Sequence, residues 1–215
     1  MMKRYICLLL LTICVAGAMA QDMKTVFTSM PDARIPLLEE AWRKDLIALY
    51  ESGKESGKKA ALKNMMDGNS SLEKLTDDYL LIQLTEQSTV EMKLLPLVNN
   101  THIVCVITTV NGPVPDSRLE FYTTEWQPLA AADLIDPVST EWFISETADK
   151  NNFDYQELIG RMDMDLIRYS LSPDDLSLTA IYTTPSYLNK EEQNKISSFL
   201  KKDPKTYLWN KHQFK

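Results

Sequence analysis

The apolar residues of this chain change their period near Asp78, and that change decides what the chain can fold into. Upstream, Ile35, Leu38, Trp42, Leu46 and Leu49 recur at steps of three and four, the spacing that lines one face of an α-helix. Pro36 suits a first helical position, so the spacing predicts a helix from there to the vicinity of Gly53, with Glu39, Glu40, Arg43 and Lys44 mostly off the stripe. Downstream the step is two. Leu80, Ile82 and Leu84 alternate with Leu81, Gln83 and Thr85, and Val90, Met92 and Leu94 alternate with Thr89, Glu91 and Lys93 beyond a turn at Glu86-Gln87-Ser88. Such alternation predicts a hairpin with one wet face, because successive strand side chains point to opposite sides.

The run from His102 to Val110 is apolar on both faces and rich in branched residues, which predicts a central strand covered on both sides and ended by Asn111-Gly112-Pro113. Arg118 to Thr124 reads as the next strand, with Trp126 just past it. The stretch from Pro128 through Pro137 to Trp142-Phe143 reads as an irregular connection, since each proline removes a ladder donor. Between the first helix and the hairpin, Gly57 to Met66 reads as a weaker helix stopped by a turn over Gly68-Asn69-Ser70-Ser71. Further elements are a short helix near Tyr155 to Ile159, a hairpin of Asp165–Leu171 and Leu176–Thr183, and a final strand from Lys205 to Phe214. A helix opened by Asn189 precedes that strand, with Glu192 at the capping-box position. The expected fold is α+β, one antiparallel sheet of about six or seven strands with helices, chiefly the Ile35 and Asn189 helices, packed mainly on one face.

The first twenty residues have a different logic. Lys3-Arg4, the apolar run Tyr5 to Val15 and the small residues up to Ala18-Met19-Ala20 form the layout of a secretory signal peptide cut after Ala20, leaving residues 21–215 as one domain. The apolar run is shorter than the ~20 residues a membrane-spanning helix needs, and no later segment offers a span. Cleavage removes Lys3 and Arg4 from 23 basic residues against 30 acidic ones, taking the formal charge from −7 to −9. That balance argues against nucleic acid as a partner, because phosphate binding needs a basic footprint. Of three cysteines only Cys105 would survive, inside Ile103-Val104-Cys105-Val106-Ile107, where it reads as a small core residue.

No metal box, phosphate loop or nucleophile elbow occurs, so no metal and no cofactor is expected. His102 and Cys105 are three apart, which places them on opposite faces of one strand and precludes a catalytic pair there. Paired carboxylates at Asp77-Asp78, Asp163/Asp165 and Asp174-Asp175 fall at turns or strand entries, where water keeps both ionised. The candidates for binding are Asp116 and Arg118, at a loop-to-strand junction, with Tyr122 and Trp126, aromatics with polar tips on the following strand and turn. Each also has a structural use, Asp116 as an acceptor of backbone donors and Arg118 in an exposed ion pair.

Three stretches carry a family likeness: Thr28-Ser29-Met30-Pro31-Asp32; Leu75-Thr76-Asp77-Asp78-Tyr79 on to Leu94-Leu95-Pro96-Leu97; and Cys105-Val106-Ile107-Thr108-Thr109 through Asp116-Ser117-Arg118-Leu119-Glu120-Phe121-Tyr122 to Trp126. They resemble a DUF3256-like family of exported Bacteroidetes proteins without assigned function. The resemblance implies a periplasmic or otherwise exported protein and transfers no catalytic residue. The leading expectation is therefore a non-enzymatic module that binds a protein partner or an envelope component. Its rivals are a hydrolase of an envelope glycan or polymer using carboxylates such as Asp116 or Asp163, and a small-molecule carrier with an apolar pocket. The hydrolase requires a cleft with two carboxylates ~5–9.5 Å apart.

Overall fold

The computed structural model describes residues 22–215, so the expected leader and its cleavage site lie outside the described residues. The chain opens with a short helix α1 (Met23–Thr28), capped by the Asp22 carboxylate on the Thr25 N–H, and α2 (Glu40–Ser56) follows. Seven strands come next: β1 (Ala60–Lys63), β2 (Asn69–Leu75), β3 (Tyr79–Thr85), β4 (Ser88–Pro96), β5 (His102–Asn111), β6 (Pro115–Thr123) and β7 (Pro128–Leu129). They pair antiparallel in strict chain order, a meander whose every connection is local. A segment of 3₁₀ turns leads to α3 (Phe153–Arg161), β8 (Ile167–Leu171), β9 (Ser177–Tyr182), α4 (Lys190–Ser197) and β10 (Lys205–Leu208). The last three strands form their own antiparallel sheet, ordered β10-β9-β8.

The α+β expectation holds, with seven strands in the main sheet. The strand β5 divides the molecule as its sequence requires. Val104 and Val106 face a core made with α1, α2 and residues Met30, Ile35 and Leu38, while Ile103, Cys105 and Ile107 face a second core made with β8, β9, β10, Trp209 and Phe214.

Several local expectations change. The first helix starts at Glu40 rather than Pro36, because the Asp32 carboxylate accepts the Glu40 N–H and turns the preceding residues into a wrapped loop. The helix buries Arg43, Leu46 and Ile47, while Leu49 is exposed. The helix runs past Gly53 to Gly57, whose left-handed φ of 67° ends it without the penalty a side chain would bring.

The segment Gly57 to Met66 is not helical; it holds β1, and Asn64 explains why. Its side chain accepts the N–H groups of Met66 and Gly68 and donates to Ser70 Oγ, closing a β1–β2 hairpin across what periodicity alone presents as a helix. Pro128 does join the sheet, opposite Tyr122, in an edge strand where a missing donor costs nothing. The Asn189 helix forms with both bonds of its capping box, but it packs with α3 through Leu158, Met162 and Ile196 rather than over the main sheet.

The face of the hairpin expected to be wet is closed to water. Glu91 and Lys93 are buried beneath the small sheet. The strand β8 lies at that sheet's edge, where the N–H groups of Ile167, Tyr169 and Leu171 bond outward to Asp116 Oδ1 (3.1 Å), Ser117 Oγ (3.1 Å) and Glu91 Oε2 (2.8 Å). Lys93 donates to the Pro173 carbonyl at 3.1 Å and pairs with Asp78 at 2.9 Å. The polar residues of the large sheet thus supply the partners that an edge strand otherwise lacks.

Candidate functional site

A concavity of about 280 Å³ opens beside the 3₁₀ turn Asp32–Arg34, between the loop after α1 and the sheet. Its sheet wall carries Val90, Val106 and Thr108 with Arg118, Glu120 and Tyr122 of β6, and its loop wall carries Met30, Ala33, Arg34 and Ile35. Trp126 closes one end. Alternation places Arg118, Glu120 and Tyr122 together, since every second residue of a strand shares a face.

The loop wall is held by Arg43, on α2. Its guanidinium donates to the carbonyls of Leu38 (2.6 Å), Met30 (2.5 Å) and Thr28 (3.1 Å) and to Asp32 Oδ1 (2.8 Å). One buried cation therefore gathers a loop whose carbonyls have no ladder to join, and fixes Met30 and Arg34 where they line the cavity.

The far wall is held by Trp126. It sits in the turn between β6 and β7 with φ of 65°, a left-handed conformation favoured by glycine and costing a bulky residue about 1–3 kcal/mol. Its side chain offsets that cost: the indole N–H donates to the Val26 carbonyl at 3.1 Å, and the ring lies 5.5 Å from that of Tyr122.

A short polar relay crosses the cavity. Arg34 Nη1 donates to the Tyr122 hydroxyl at 2.7 Å, which donates to Glu120 Oε1 at 2.9 Å, and Glu120 Oε2 pairs with Arg118 Nε at 2.9 Å. The Arg34 guanidinium also stands 4.1 Å above the Tyr122 ring and reaches the Trp126 carbonyl at 3.4 Å. Burial, then the neighbouring Glu120, pushes the Tyr122 phenol up, so the hydroxyl stays protonated and remains a donor at neutral pH.

Of the residues singled out from sequence, Arg118, Tyr122 and Trp126 meet here, and Asp116 does not; its carboxylate is taken up by the Ile167 N–H of the small sheet. The cavity holds one carboxylate, Glu120, where the hydrolase reading needs two. Arg34 and Arg43 escaped the sequence reading. Nothing in a lone arginine before or within a helix distinguishes a surface charge from one that the chain folds around. Among the described residues no three His, Cys, Asp or Glu side chains converge to hold a metal ion.

A second aromatic concavity of about 400 Å³ lies by Trp142, Lys205 and Tyr207. The Trp142 ring there carries two ammonium groups, Lys201 at 4.3 Å and Lys205 at 5.2 Å from its centroid.

The family model described as "Protein of unknown function (DUF3256)" matches residues 15–214. The chain belongs to the DUF3256 family. Among solved structures it is similar to a domain of an uncharacterized protein from Porphyromonas gingivalis W83, at 28% identity and a TM-score of 0.77, over 88% of this chain and 96% of that one. No curated protein matches it. All three stretches that carry the DUF3256 likeness reach the cavity: Met30 from the first, Val90 from the second, and Val106, Thr108, Arg118, Glu120, Tyr122 and Trp126 from the third. No helix among the described residues is long and apolar enough to cross a membrane.

Proposed function

We propose that this DUF3256 chain is an exported, single-domain, non-enzymatic binding module for an envelope component, and that the cavity between Arg34 and Trp126 is its binding site. The observation that carries the reading is a preformed concavity in which a fixed loop, a strained tryptophan and a cross-cavity hydrogen-bond relay converge on exposed guanidinium groups. Binding sites of this kind combine apolar walls with a few placed polar groups. Strain held at one end of such a site is a further mark of use. A basic leader ending in Ala18-Met19-Ala20 supports export, and the acidic charge of the remainder suits a protein that repels nucleic acid and anionic membrane surfaces.

Export is tested by sequencing the N-terminus of the protein recovered from the envelope fraction of its host, where Gln21 is the expected first residue. Binding is tested by native mass spectrometry of the same preparation. The wild-type chain should carry a ligand of defined mass that is lost from the double variant Arg34→Gln, Arg118→Gln. Identical spectra for the two proteins, each shown folded by circular dichroism, would overturn the assignment of the site.

A further inference from the structure

The charges around the cavity define what it can hold. Arg34 bonds to two neutral acceptors, the Tyr122 hydroxyl and the Trp126 carbonyl, and no carboxylate among the described residues pairs with it. A guanidinium has five N–H donors, so Arg34 keeps unspent ones on a group that cannot lose its proton. The nearest acid in its own loop, Asp32, is committed to Arg43 and to the start of α2. Arg118 spends its Nε on Glu120 and leaves both terminal nitrogens free to turn toward the cavity it lines.

Two arginines against one glutamate leave the site with a surplus of one positive charge, in a chain whose formal net charge is −7. Solvated surface arginines need no such setting. Here Arg34 is oriented by the Tyr122 ring beneath it and by its bond to Tyr122 Oη, while Arg43 holds its loop, so the donors are fixed before any ligand arrives.

Apart from Thr108, the rest of the lining is apolar. Val90, Val106, Ile35 and Met30 lie with the Tyr122 and Trp126 rings, and they suit a flat hydrocarbon body. Glu120 selects against a second negative charge, because a dianion brought to Arg118 would also approach the Glu120 carboxylate.

We infer that the cavity binds a small monocarboxylate with an aromatic or similarly flat apolar body, its carboxylate received by Arg34 with Arg118 in support and its ring laid between Val106 and Trp126. This inference rests on the cavity's being a binding site, and the experiment separates the two.

The test is a titration of residues 21–215 followed by the indole N–H resonance of Trp126 and the backbone amides of residues 30–35, with phenylacetate, phenylacetamide, phenyl phosphate and acetate as probes. Phenylacetate should shift these signals saturably, and phenylacetamide and acetate should each bind at least tenfold more weakly. Phenyl phosphate, carrying more charge on the same ring, should also be weaker. Arg34→Gln should weaken phenylacetate at least tenfold, and Arg118→Gln by less, with the remaining spectrum unchanged in both as a check that the variants fold. Equal binding of phenylacetamide would overturn the carboxylate inference while leaving the cavity as a binding site. Tighter binding of phenyl phosphate would overturn it in favour of a phosphate ligand. Absence of any saturable shift at these residues would overturn it outright, and the binding-site reading would then stand or fall on the native mass spectra alone.

Discussion

The face of the seven-stranded sheet beneath α1 and α2 and the face beneath β8, β9 and β10 are both closed to water, yet different interactions close them. On the helical side the contact is mostly hydrocarbon: Leu46, Leu80, Ile82 and Met92 are fully buried, and each contributes roughly 1.5–3 kcal/mol by leaving water. On the other side an apolar centre of Ile107, Phe121 and Leu178 is bordered by a polar seam, where Glu91, Ser117 and Asp116 receive the outward N–H groups of β8. A helix satisfies its own backbone and needs only grease beneath it. A sheet laid edge-on against another brings orphan donors, and the surface it lands on has to accept them.

The largest expected effect lies in the apolar centre beneath β8, β9 and β10. Ile107→Asp places an unpaired charge in the fully buried centre of β5 and should cost more than about 4–5 kcal/mol, enough to abolish soluble expression. A soluble monomer with a wild-type melting temperature would show that this centre is not closed.

Next is Arg43→Ala, which removes a buried polar anchor on the helical side. It orphans the carbonyls of Thr28, Met30 and Leu38 and should cost about 3 kcal/mol in urea denaturation, on the scale of hydrogen bonds to a buried charge. It should also loosen residues 30–35 in hydrogen exchange. A loss under about 1 kcal/mol would mean that the helical face is held by hydrocarbon alone.

The polar seam is sharpened by two changes at Glu91. Glu91→Ala leaves the Leu171 N–H and the Tyr79 hydroxyl without their acceptor and should cost about 1–3 kcal/mol. Glu91→Gln keeps an acceptor and alters the pH profile instead. Burial holds the Glu91 carboxyl above its ordinary value of 4.5, so the folded chain keeps a proton that the unfolded chain has released. Wild-type stability therefore falls as pH rises from about 4.5 through the folded value and is level above it. The difference between wild type and Glu91→Gln should widen over that window in the variant's favour, read by denaturation at a series of pH values. A constant difference would show that the seam carries no buried proton.

The smallest effect lies outside both faces. Asn189→Ala removes one half of the α4 capping box and should cost about 1 kcal/mol, with faster exchange confined to α3 and α4. Exchange that spreads into β8 and β9 would show the helical pair to be part of the second cover rather than an appendage to it.

These contrasts also explain how far the residues could be read. Elements whose periodicity agrees with their burial were legible: β3 and β5, the Asn189 cap, and the burial of Ile107 and Val106 on opposite faces of β5. Glu91 and Lys93 misled because alternation reports polarity, and polarity implies water only until another edge strand needs acceptors. Asn64 misled because a side chain closing a turn leaves no periodic trace. Within the site, Arg118, Tyr122 and Trp126 were legible as exposed-type residues clustered along one strand and its turn. Arg34 was not, for it reaches Tyr122 across 88 residues of chain.

By itself the order of residues determined that helices precede a run of antiparallel strands, and that one of those strands has two dry faces. Both follow from the step at which hydrocarbon recurs, a local property. Tertiary structure decided which polar groups lie inside, that Arg43 gathers a loop, and that Arg34 meets Tyr122 over a cavity. Those outcomes depend on which distant donor arrives beside which acceptor, and short-range spacing carries no record of that.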